Sequence, residues 1–394
     1  MSGSAAPDFE AGEPGGLLLS SGELFLGRLV HWPASPPATA WAAGDEAIWG
    51  EGVFNTSMTG YQEVLTDPSY AGQVVVMTYP FIGQYGLSSR VDQAAEPAVA
   101  GFVAAELWRE PDRGNGEGIV DWLRRHGVPA LEGVATRRLA LRLREGGDTA
   151  LALVRGRLLA QLERLADPAE RVAALPWPER PRDLVARVVR HGRLALERGD
   201  GRGPRLAVLD LGTKRRILDE LLRAGASLEL LPWNATASEI LAGDPDGLVV
   251  TNGPGDPADL PEVEAALRQV AGRLPTWGIC LGHQVLAAAF GARTGRLPYG
   301  HRGGNHPVQE LESGRSFMTA QNHGYAVLPE ALPDELEVTH LQLNDGVVEG
   351  IRHRELPVWG VQFHPEGAPG PLESRARFRQ FVDRVARWRG LRVA

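Results

Sequence analysis

Hydrophobic positions follow two different patterns along this chain of 394 residues. From Pro204 onward, short continuous apolar runs alternate with segments whose apolar residues recur at helical spacing. Continuous apolar strands that alternate with helices are typical of a mainly parallel sheet covered on both faces. We therefore predict an α/β domain over residues 204–394. Its expected strands are Leu206–Leu211, Leu228–Leu231, Gly247–Thr251 and Thr276–Ile279, and its expected helices are Lys214–Ala224, Ala237–Ala242, Pro261–Ala271 and Gly282–Phe290.

Before residue 156 the apolar runs are shorter and richer in β-branched residues. Two of them, Leu17–Leu19 and Leu24–Val30, flank turn-forming residues and predict a hairpin. The run Gln73–Tyr79 predicts a strand that a proline ends. We expect a β-rich α+β domain at residues 17–155. Its expected helices are Gly118–His126 and Arg137–Arg144.

Two segments have the composition of tails and connectors. Residues 1–16 are rich in glycine, alanine, proline and acidic residues, and they predict a disordered tail. Residues 156–203 are polar, rich in arginine and punctuated by proline, which is typical of a connector. Within this connector we expect one helix, at Leu158–Leu165.

Composition narrows the class of protein. The net charge of −8 argues against a nucleic-acid partner, since no excess of basic side chains is available for a polyphosphate backbone. The longest apolar stretch, at residues 278–292, is interrupted by two polar residues and is too short for a membrane span. A single cysteine excludes internal disulfides, and the first 22 residues lack the features of a signal peptide. We expect a cytoplasmic protein without nucleic-acid or membrane partners.

The chain has one lysine, Lys214, among many arginines. A genome-wide bias toward arginine codons explains the many arginines. Lys214 is then a position at which arginine was unable to replace lysine, since a compact ammonium and a planar guanidinium are not equivalent. The neighbours of Lys214 also exclude a Walker A loop, which requires Gly-Lys followed by Ser or Thr. This chain is therefore not expected to use ATP through a P-loop.

The cysteine lies in a Gly-Ile-Cys-Leu-Gly segment, residues 278–282, between a predicted strand and a predicted helix. This is the cysteine form of a nucleophile elbow, in which glycines allow a sharp turn and the helix end stabilises a thiolate. Cys280 is therefore a candidate nucleophile. The alternative for a lone cysteine is an inert buried residue, and the flanking glycines favour the catalytic interpretation.

A candidate base lies in the segment 359–366, Trp-Gly-Val-Gln-Phe-His-Pro-Glu. In extended backbone, His364 and Glu366 point to the same side, so the carboxylate is able to orient the imidazole. A third segment, Asn252–Pro257, follows a predicted strand and carries two glycines whose N–H groups can approach a ligand. Together with the N–H of Leu281, this loop is a candidate oxyanion hole.

In combination and in this order, these three segments resemble the class I glutamine amidotransferase domain, from about Pro204 to the C-terminal helix. The resemblance implies that Cys280 attacks the carboxamide of glutamine, that His364 transfers the proton, and that water then cleaves a γ-glutamyl thioester.

Residues 54–70 are polar, lack hydrophobic periodicity and by propensity predict a structured loop. They resemble the N-terminal domain of the carbamoyl-phosphate synthetase small-subunit family, as do residues 78–83 (Thr-Tyr-Pro-Phe-Ile-Gly), 300–307 and 320–325. The resemblance implies a separate large subunit that uses ATP and bicarbonate, no cofactor on this chain, and a role in pyrimidine and arginine biosynthesis. Carried over by position, the implied glutamine-binding residues are Ser69, Gly253, Gly255, Leu281, Gln284, Asn322, Gly324 and Tyr325, with Lys214 as a supporting residue.

Two alternatives stay open: a non-catalytic regulatory or scaffolding subunit, and a glutaminase that serves another synthetase. His301, His306 and His323 also raise the possibility of a metal site, but we favour loop residues that shape the pocket or the subunit surface, and we predict no metal. The chain departs from the family pattern at Gln84, Ala135, Arg216 and Gly367, none of which is a predicted catalytic residue.

Overall fold

The computed structural model describes residues 12–110, 116–147, 149–189, 192–196 and 203–390. Two large β-sheets, of eight and ten strands, organise these residues, and a pair of short strands forms a third sheet. The first large sheet is built from the N-terminal half and the second from the C-terminal half. The predicted α/β class with a β-rich N-terminal domain is confirmed.

The N-terminal half contains ten strands and three α-helices among its described residues. They are β1 (Pro14–Leu19), β2 (Leu24–His31), β3 (Ala42–Ala43), β4 (Ala47–Asn55), α1 (Tyr61–Thr66), β5 (Gln73–Met77), β6 (Phe81–Ile82), β7 (Gly101–Val103), β8 (Glu106–Leu107), α2 (Ile119–Arg125), β9 (Ala130–Glu132), α3 (Thr136–Gly146) and β10 (Thr149–Arg155).

The sheet of this half closes on itself. Its strand order is β10-β1-β2-β9-β7-β5-β4-β3, and β10 also pairs with β4. Both faces are covered, as strand β5 shows: Val74 and Val76 pack in one hydrophobic cluster, whereas Val75 and Met77 pack in another. Complete burial explains why this strand reads as a continuous apolar run.

Three predictions for this half meet different outcomes. The hairpin is confirmed, because β1 and β2 pair antiparallel. The tail prediction is wrong for its last three residues, since β1 begins at Pro14 and pairs with β10 from Gly15 onward; residues 1–11 lie outside the described part of the chain. The loop predicted at residues 54–70 is also wrong. Tyr61, Val64 and Leu65 lie on one face of α1 and are fully buried, and a turn of 3-10 helix follows at Pro68–Tyr70.

The segment predicted as a connector contains regular structure. It has α4 (Gly156–Arg164), α5 (Pro168–Ala173), α6 (Leu184–Val188) and β11 (Leu194–Leu196). The helix expected at Leu158–Leu165 is therefore present, and β11 pairs antiparallel with a strand of the second sheet. Residues 190–191 and 197–202 are not among those that the structure describes.

The C-terminal half supplies the other strands and helices. They are β12 (Arg205–Asp210), α7 (Arg215–Arg223), β13 (Ser227–Pro232), α8 (Ala237–Ala242), β14 (Gly247–Val250), α9 (Pro261–Val270), β15 (Thr276–Ile279), α10 (Leu281–Ala289), β16 (Thr294–Glu310), β17 (Ser316–Val327), β18 (Leu336–Gln342), β19 (Val348–His353), β20 (Val358–Val361) and α11 (Ala376–Trp388). Single turns of 3-10 helix lie at Pro257–Asp259 and Pro329–Ala331.

The centre of the second sheet is parallel, in the order β13-β12-β14-β15-β20. Successive residues of β12 point to opposite faces: Leu206 and Val208 pack in the cluster that includes residues of α7 and α11, and Ala207 and Leu209 pack in the cluster that includes residues of α8, α9 and α10. This alternation places helices on both faces, as the sequence predicts.

Beyond β20 the sheet continues into an antiparallel extension, β19-β18-β16-β17, which the sequence analysis did not predict. His301 and His306 lie in β16 and His323 in β17, so their prediction as loop residues is wrong. The glycine-rich sequence of β16 has a low β-propensity, and its long-range pairing with β17 outweighs that preference.

Among the described residues, no helix has the length and hydrophobicity required to cross a bilayer.

Candidate active site

Four neighbouring parallel strands end at one edge of the second sheet. The segments that follow β12, β14, β15 and β20 carry Lys214, the loop at Gly253, Cys280 and His364 respectively. Ligands of such sheets bind beyond the carboxyl ends of the strands. The topology therefore gathers residues that are far apart in sequence at one location.

Cys280 occupies the turn between β15 and α10 in a strained conformation. Its φ is +54° and its ψ is −110°, a backbone geometry that residues other than glycine rarely adopt. Its N–H donates to the carbonyl of Val361 at 2.8 Å, which holds the elbow against β20. Its sulfur lies 3.6 Å from the carbonyl oxygen of Asn322, an acceptor for the thiol.

The two glycines beside the cysteine are required by close backbone contacts. A Cβ on Gly278 would lie 2.6 Å from the carbonyl oxygen of Gly282, and a Cβ on Gly282 would lie 2.1 Å from that of Val250. Neither backbone group is able to move without disrupting the strand or the helix. The sequence-based reason for these glycines is therefore confirmed by the contacts.

His364 and Glu366 form the predicted pair, but on a turn after β20 and not on extended backbone, since the Gly367 N–H donates to the carbonyl of His364 at 3.2 Å. The imidazole Nδ1 lies 2.8 Å from Oε1 of Glu366, so the carboxylate accepts the Nδ1 proton and directs Nε2 away from itself. Both side chains are buried. A hydrogen bond from the His364 N–H to the carbonyl of Ala320 fixes the backbone at 2.9 Å.

Burial and charge set the protonation of this pair. Burial and the Lys214 ammonium lower the pKa of His364, but Glu366 and the nearby Cys280 outweigh them and raise it to about 10. Burial raises the pKa of Glu366, but Lys214 and His364 outweigh burial and lower it to about 2. At neutral pH the resting pair is therefore an imidazolium beside a carboxylate.

Lys214 is buried among three acceptors. Its Nζ lies 3.1 Å from Oδ2 of Asp67, 3.0 Å from Oε1 of Glu366 and 3.0 Å from the carbonyl oxygen of Ala368. Three acceptors around one compact ammonium match its three hydrogens, whereas a planar guanidinium has a different geometry. This arrangement accounts for the single lysine of the chain.

Asp67 is a site residue that the sequence analysis missed. It comes from the N-terminal half, accepts a hydrogen bond from the Ser69 N–H at 2.9 Å, and contacts the side-chain amide of Asn322 at 3.2 Å. Its position in an Asp-Pro-Ser turn predicts a local cap, and the structure contains that cap. Its buried ion pair with Lys214 has no local signal in the sequence.

The predicted glutamine-binding residues line one cavity that opens on the nucleophile. Besides Cys280, its lining includes all eight of them: Ser69, Gly253, Gly255, Leu281, Gln284, Asn322, Gly324 and Tyr325. Ser69 belongs to the N-terminal half, and its hydroxyl accepts a hydrogen bond from Asn252 at 2.9 Å. The cavity therefore lies between the two halves of the chain, where ligand sites are common.

A second residue missed by the sequence analysis, Gln362, connects this cavity to the nucleophile. The Nε2 group of Gln284 donates to the carbonyl of Tyr325 at 2.7 Å and to Oε1 of Gln362 at 2.9 Å. Since both partners accept, the amide of Gln284 has one orientation, which in turn fixes that of Gln362. The Nε2 of Gln362 therefore faces the sulfur of Cys280, at 3.6 Å.

These contacts provide three chemical capabilities. The cysteine lines a cavity with polar groups, a protonated imidazole stands beside a carboxylate, and backbone N–H groups begin a helix at Leu281. A nucleophile, an acid–base residue and its orienting carboxylate are the parts that covalent acyl transfer requires.

Comparison with known families agrees with this arrangement. Residues 207–384 match the family described as glutamine amidotransferase class-I. Residues 34–153 match the family described as carbamoyl-phosphate synthase small chain, CPSase domain.

Individual relatives match over most of their own length. A carbamoyl phosphate synthase small chain of Symbiobacterium thermophilum is 48% identical over 342 residues, which cover 86% of this chain and 93% of the relative. One from Bacillus caldolyticus is 45% identical over 84% of this chain and 89% of the relative. A pyrimidine-specific small chain of Bacillus subtilis is 41% identical over 85% and 89%.

One solved structure, of a putative GMP synthase subunit from Thermoplasma acidophilum, is 24% identical with a TM-score of 0.43, covering 48% of this chain and 96% of that one. The two family matches, and the large share of each chain that the small-chain relatives cover, agree with the elbow, the His–Glu pair and the cavity that Cys280 lines. The chain belongs to the carbamoyl phosphate synthase small-chain family and carries that family's glutamine-hydrolysing, class I amidotransferase domain.

Proposed function

We propose that this chain hydrolyses L-glutamine through a Cys280–His364–Glu366 triad and passes the ammonia to a separate large subunit, which makes carbamoyl phosphate. The observation that carries the proposal is the cavity that eight predicted glutamine-binding residues line together with Cys280. The Nδ1–Oε1 contact of 2.8 Å between His364 and Glu366 supports the assignment of the other two members.

The first step is attack by the Cys280 thiolate on the side-chain carboxamide carbon of glutamine. The C–S bond forms as the carbonyl becomes an oxyanion, which accepts hydrogen bonds from the backbone N–H groups of Leu281 and Gly253. His364 then gives its Nε2 proton to the departing nitrogen. The C–N bond breaks, ammonia leaves, and a γ-glutamyl thioester remains on the sulfur.

The second step returns the enzyme to its starting state. Neutral His364 accepts a proton from water as that water attacks the thioester carbon. The C–S bond breaks, glutamate leaves, and thiolate and imidazolium are restored. Glu366 keeps the ring in one tautomer and stabilises its charged form throughout, while Lys214 keeps Glu366 ionised.

The proposal assigns no cofactor to this chain, since ATP and bicarbonate are used by the large subunit. It places the protein in the cytoplasm, in pyrimidine and arginine biosynthesis. The proposal divides the chain into a small-subunit domain that begins with β1 at Pro14 and ends at residue 155, a connector (156–203) and an amidotransferase domain (204–394).

A direct test is glutamate release from glutamine by the purified chain, with and without a large subunit, ATP and bicarbonate. Strong stimulation by the complete mixture, abolished in Cys280→Ser, is the expected result. Activity that is indifferent to the large subunit would favour a glutaminase for another synthetase. No activity under any condition, together with no labelling of Cys280 by a glutamine-analogue electrophile, would favour a scaffolding subunit.

A further inference from the structure

Three buried side chains from three strands of the antiparallel extension converge on one point. His301 lies on β16, His323 on β17 and Glu349 on β19, and their exposed fractions are 3%, 5% and 0%. One ligand atom of each residue lies within 4.8 Å of those of the other two. His301 Nδ1 and His323 Nε2 each lie 3.9 Å from Glu349 Oε1. We refer to these residues as the His–His–Glu cluster.

The outer contacts of the two histidines determine which nitrogens face the cluster with a lone pair. Nδ1 of His323 lies 2.8 Å from the carbonyl oxygen of Tyr325. Nε2 of His301 lies 2.8 Å from Oδ2 of Asp345. A carbonyl and a carboxylate accept, so these nitrogens carry the protons and the inward nitrogens of the neutral rings do not.

The carboxylate of Glu349 is held in the same manner. Its Oε2 accepts a hydrogen bond from the side-chain amide of Gln321 at 2.8 Å, which leaves Oε1 directed at the histidines. Within the part of the chain that the structure describes, none of the three inward atoms has a hydrogen-bond partner. With both rings neutral, three buried acceptors meet without a donor, which is costly unless a cation or a proton lies between them.

The dimensions of the cluster suit a small cation. Glu349 Oε1 lies 3.9 Å from each of the two nitrogens, and the nitrogens lie no more than 4.8 Å apart. A single point therefore exists at about 2.5 Å or less from all three atoms, and movements of about 0.4 Å would reach zinc–ligand distances of about 2.0–2.2 Å.

Two neutral imidazoles, each held by an outer acceptor, and one carboxylate are a common zinc ligand set. Glu349 and the nearby Asp345 supply negative charge for a divalent ion.

We propose that His301, His323 and Glu349 bind a divalent transition-metal ion of the zinc class, and that this ion joins β16, β17 and β19. Its role is structural: His323 lies between Asn322 and Gly324, two residues that line the glutamine cavity. The ion would hold this wall of the cavity in place. The proposal does not depend on the glutaminase mechanism.

The test loads the full-length, untagged chain with Zn²⁺, removes free metal by gel filtration and measures metal content by mass spectrometry. We expect about one equivalent in the wild type and less than a tenth of an equivalent in Glu349→Gln and His301→Asn. Loading with Co²⁺ should give visible d–d absorption without a sulfur-to-metal charge-transfer band.

Two controls identify the site. Cys280→Ser should retain the metal, which excludes binding at the active-site sulfur. His306→Asn should also retain it, because that ring lies 5.1 Å from His301 between centroids but is not part of the cluster. Folding of each variant is checked by its melting temperature in chelator, and added Zn²⁺ should raise this temperature in the wild type but not in Glu349→Gln.

Several results would overturn the proposal. One is a metal content below a tenth of an equivalent in the loaded wild type, which would indicate that a proton or a buried water satisfies the cluster. Others are wild-type metal content in Glu349→Gln or loss of metal in Cys280→Ser.

Discussion

Replacement of Lys214 by methionine is the most informative perturbation of the buried charges. Methionine has a similar length but removes the ammonium, and with it the contacts at 3.1 Å to Asp67 and 3.0 Å to Glu366. Both carboxylates are buried, with side-chain exposures of 2% and 0%. The variant therefore leaves buried negative charge with less compensation.

The expected loss follows from that burial. Removal of one partner from a buried ion pair destabilises a protein by about 3–5 kcal/mol, because the remaining charge is left without compensation. Arg223→Met is a matched control on α7: its partner is Glu220, the arginine side chain is 43% exposed, and such a surface pair contributes about 0–1 kcal/mol.

The assay is guanidinium unfolding followed by tryptophan fluorescence and circular dichroism, with the free energy of unfolding compared at constant pH. Adding Asp67→Asn to Lys214→Met should recover part of the loss, since it removes one of the two carboxylate charges that have lost the ammonium. Lys214→Arg should recover little, because three acceptors surround a space shaped for an ammonium. A loss below about 1 kcal/mol for Lys214→Met, equal to that of Arg223→Met, would refute the reasoning.

The same variant has a pH signature. The pKa of Glu366 is lowered from its ordinary 4.5 to about 2, so the stability it contributes is fully present above 4.5 and is lost as pH falls through about 2. Lys214 is one cause of this lowering. In Lys214→Met the acid loss of stability should therefore begin at higher pH than in the wild type, and coincident acid unfolding curves would contradict the assignment.

Three further changes test neighbouring parts of the site. Glu366→Gln removes a group that raises the pKa of His364, so this pKa should fall below about 10 in an NMR titration. Glutamine hydrolysis should fall by roughly 10²-fold or more. An unchanged titration of His364 would contradict the coupling. Gly282→Ala places a Cβ 2.1 Å from a backbone carbonyl and should lower the midpoint of thermal unfolding sharply. The control is Gly146→Ala, at the exposed end of α3, where a Cβ has no atom within 4 Å; it should be neutral or slightly stabilising. Equal midpoints for the two variants would contradict the clash. Gln362→Met removes the amide that faces the sulfur of Cys280 at 3.6 Å. The variant should have a lower kcat and a slower alkylation of that sulfur near neutral pH, with an unchanged circular dichroism spectrum. A wild-type alkylation rate would argue against a positioning role for Gln362.

Local signals in the sequence were sufficient for the parts of the site whose partners are close along the chain. Gly278, Cys280 and Gly282 form the elbow within five residues. Gly278 is constrained by the backbone of Gly282 inside that turn, whereas Gly282 is constrained by the carbonyl of Val250 at the end of β14. His364 and Glu366 are two positions apart and meet on the turn that follows β20. Geometry of this kind is dictated by covalent connectivity, so a sequence pattern is able to reveal it.

Resemblance to a family extended the prediction to residues that no local rule connects. Ser69, Asn322 and Tyr325 come from distant segments, and the structure places all of them around the cavity that contains Cys280. Neither spacing nor periodicity predicts that meeting. The antiparallel extension that carries Asn322 and Tyr325 was also missed. Its longest strand, β16, is rich in glycine, has a weak local preference for strand and is stabilised by its pairing with β17.

Only the tertiary structure decided the buried electrostatics. The contact of Asp67 with Asn322 joins residues 255 positions apart, and the ion pair of Asp67 with Lys214 crosses from one half of the chain to the other. Burial raises or lowers a pKa by an amount that depends on every neighbour in space, and the sequence does not state which neighbours those are. By itself the sequence predicted a Gly-x-Cys-x-Gly elbow between a strand and a helix of an α/β domain. Which charges surround that elbow depends on contacts that exist only once the two halves pack together.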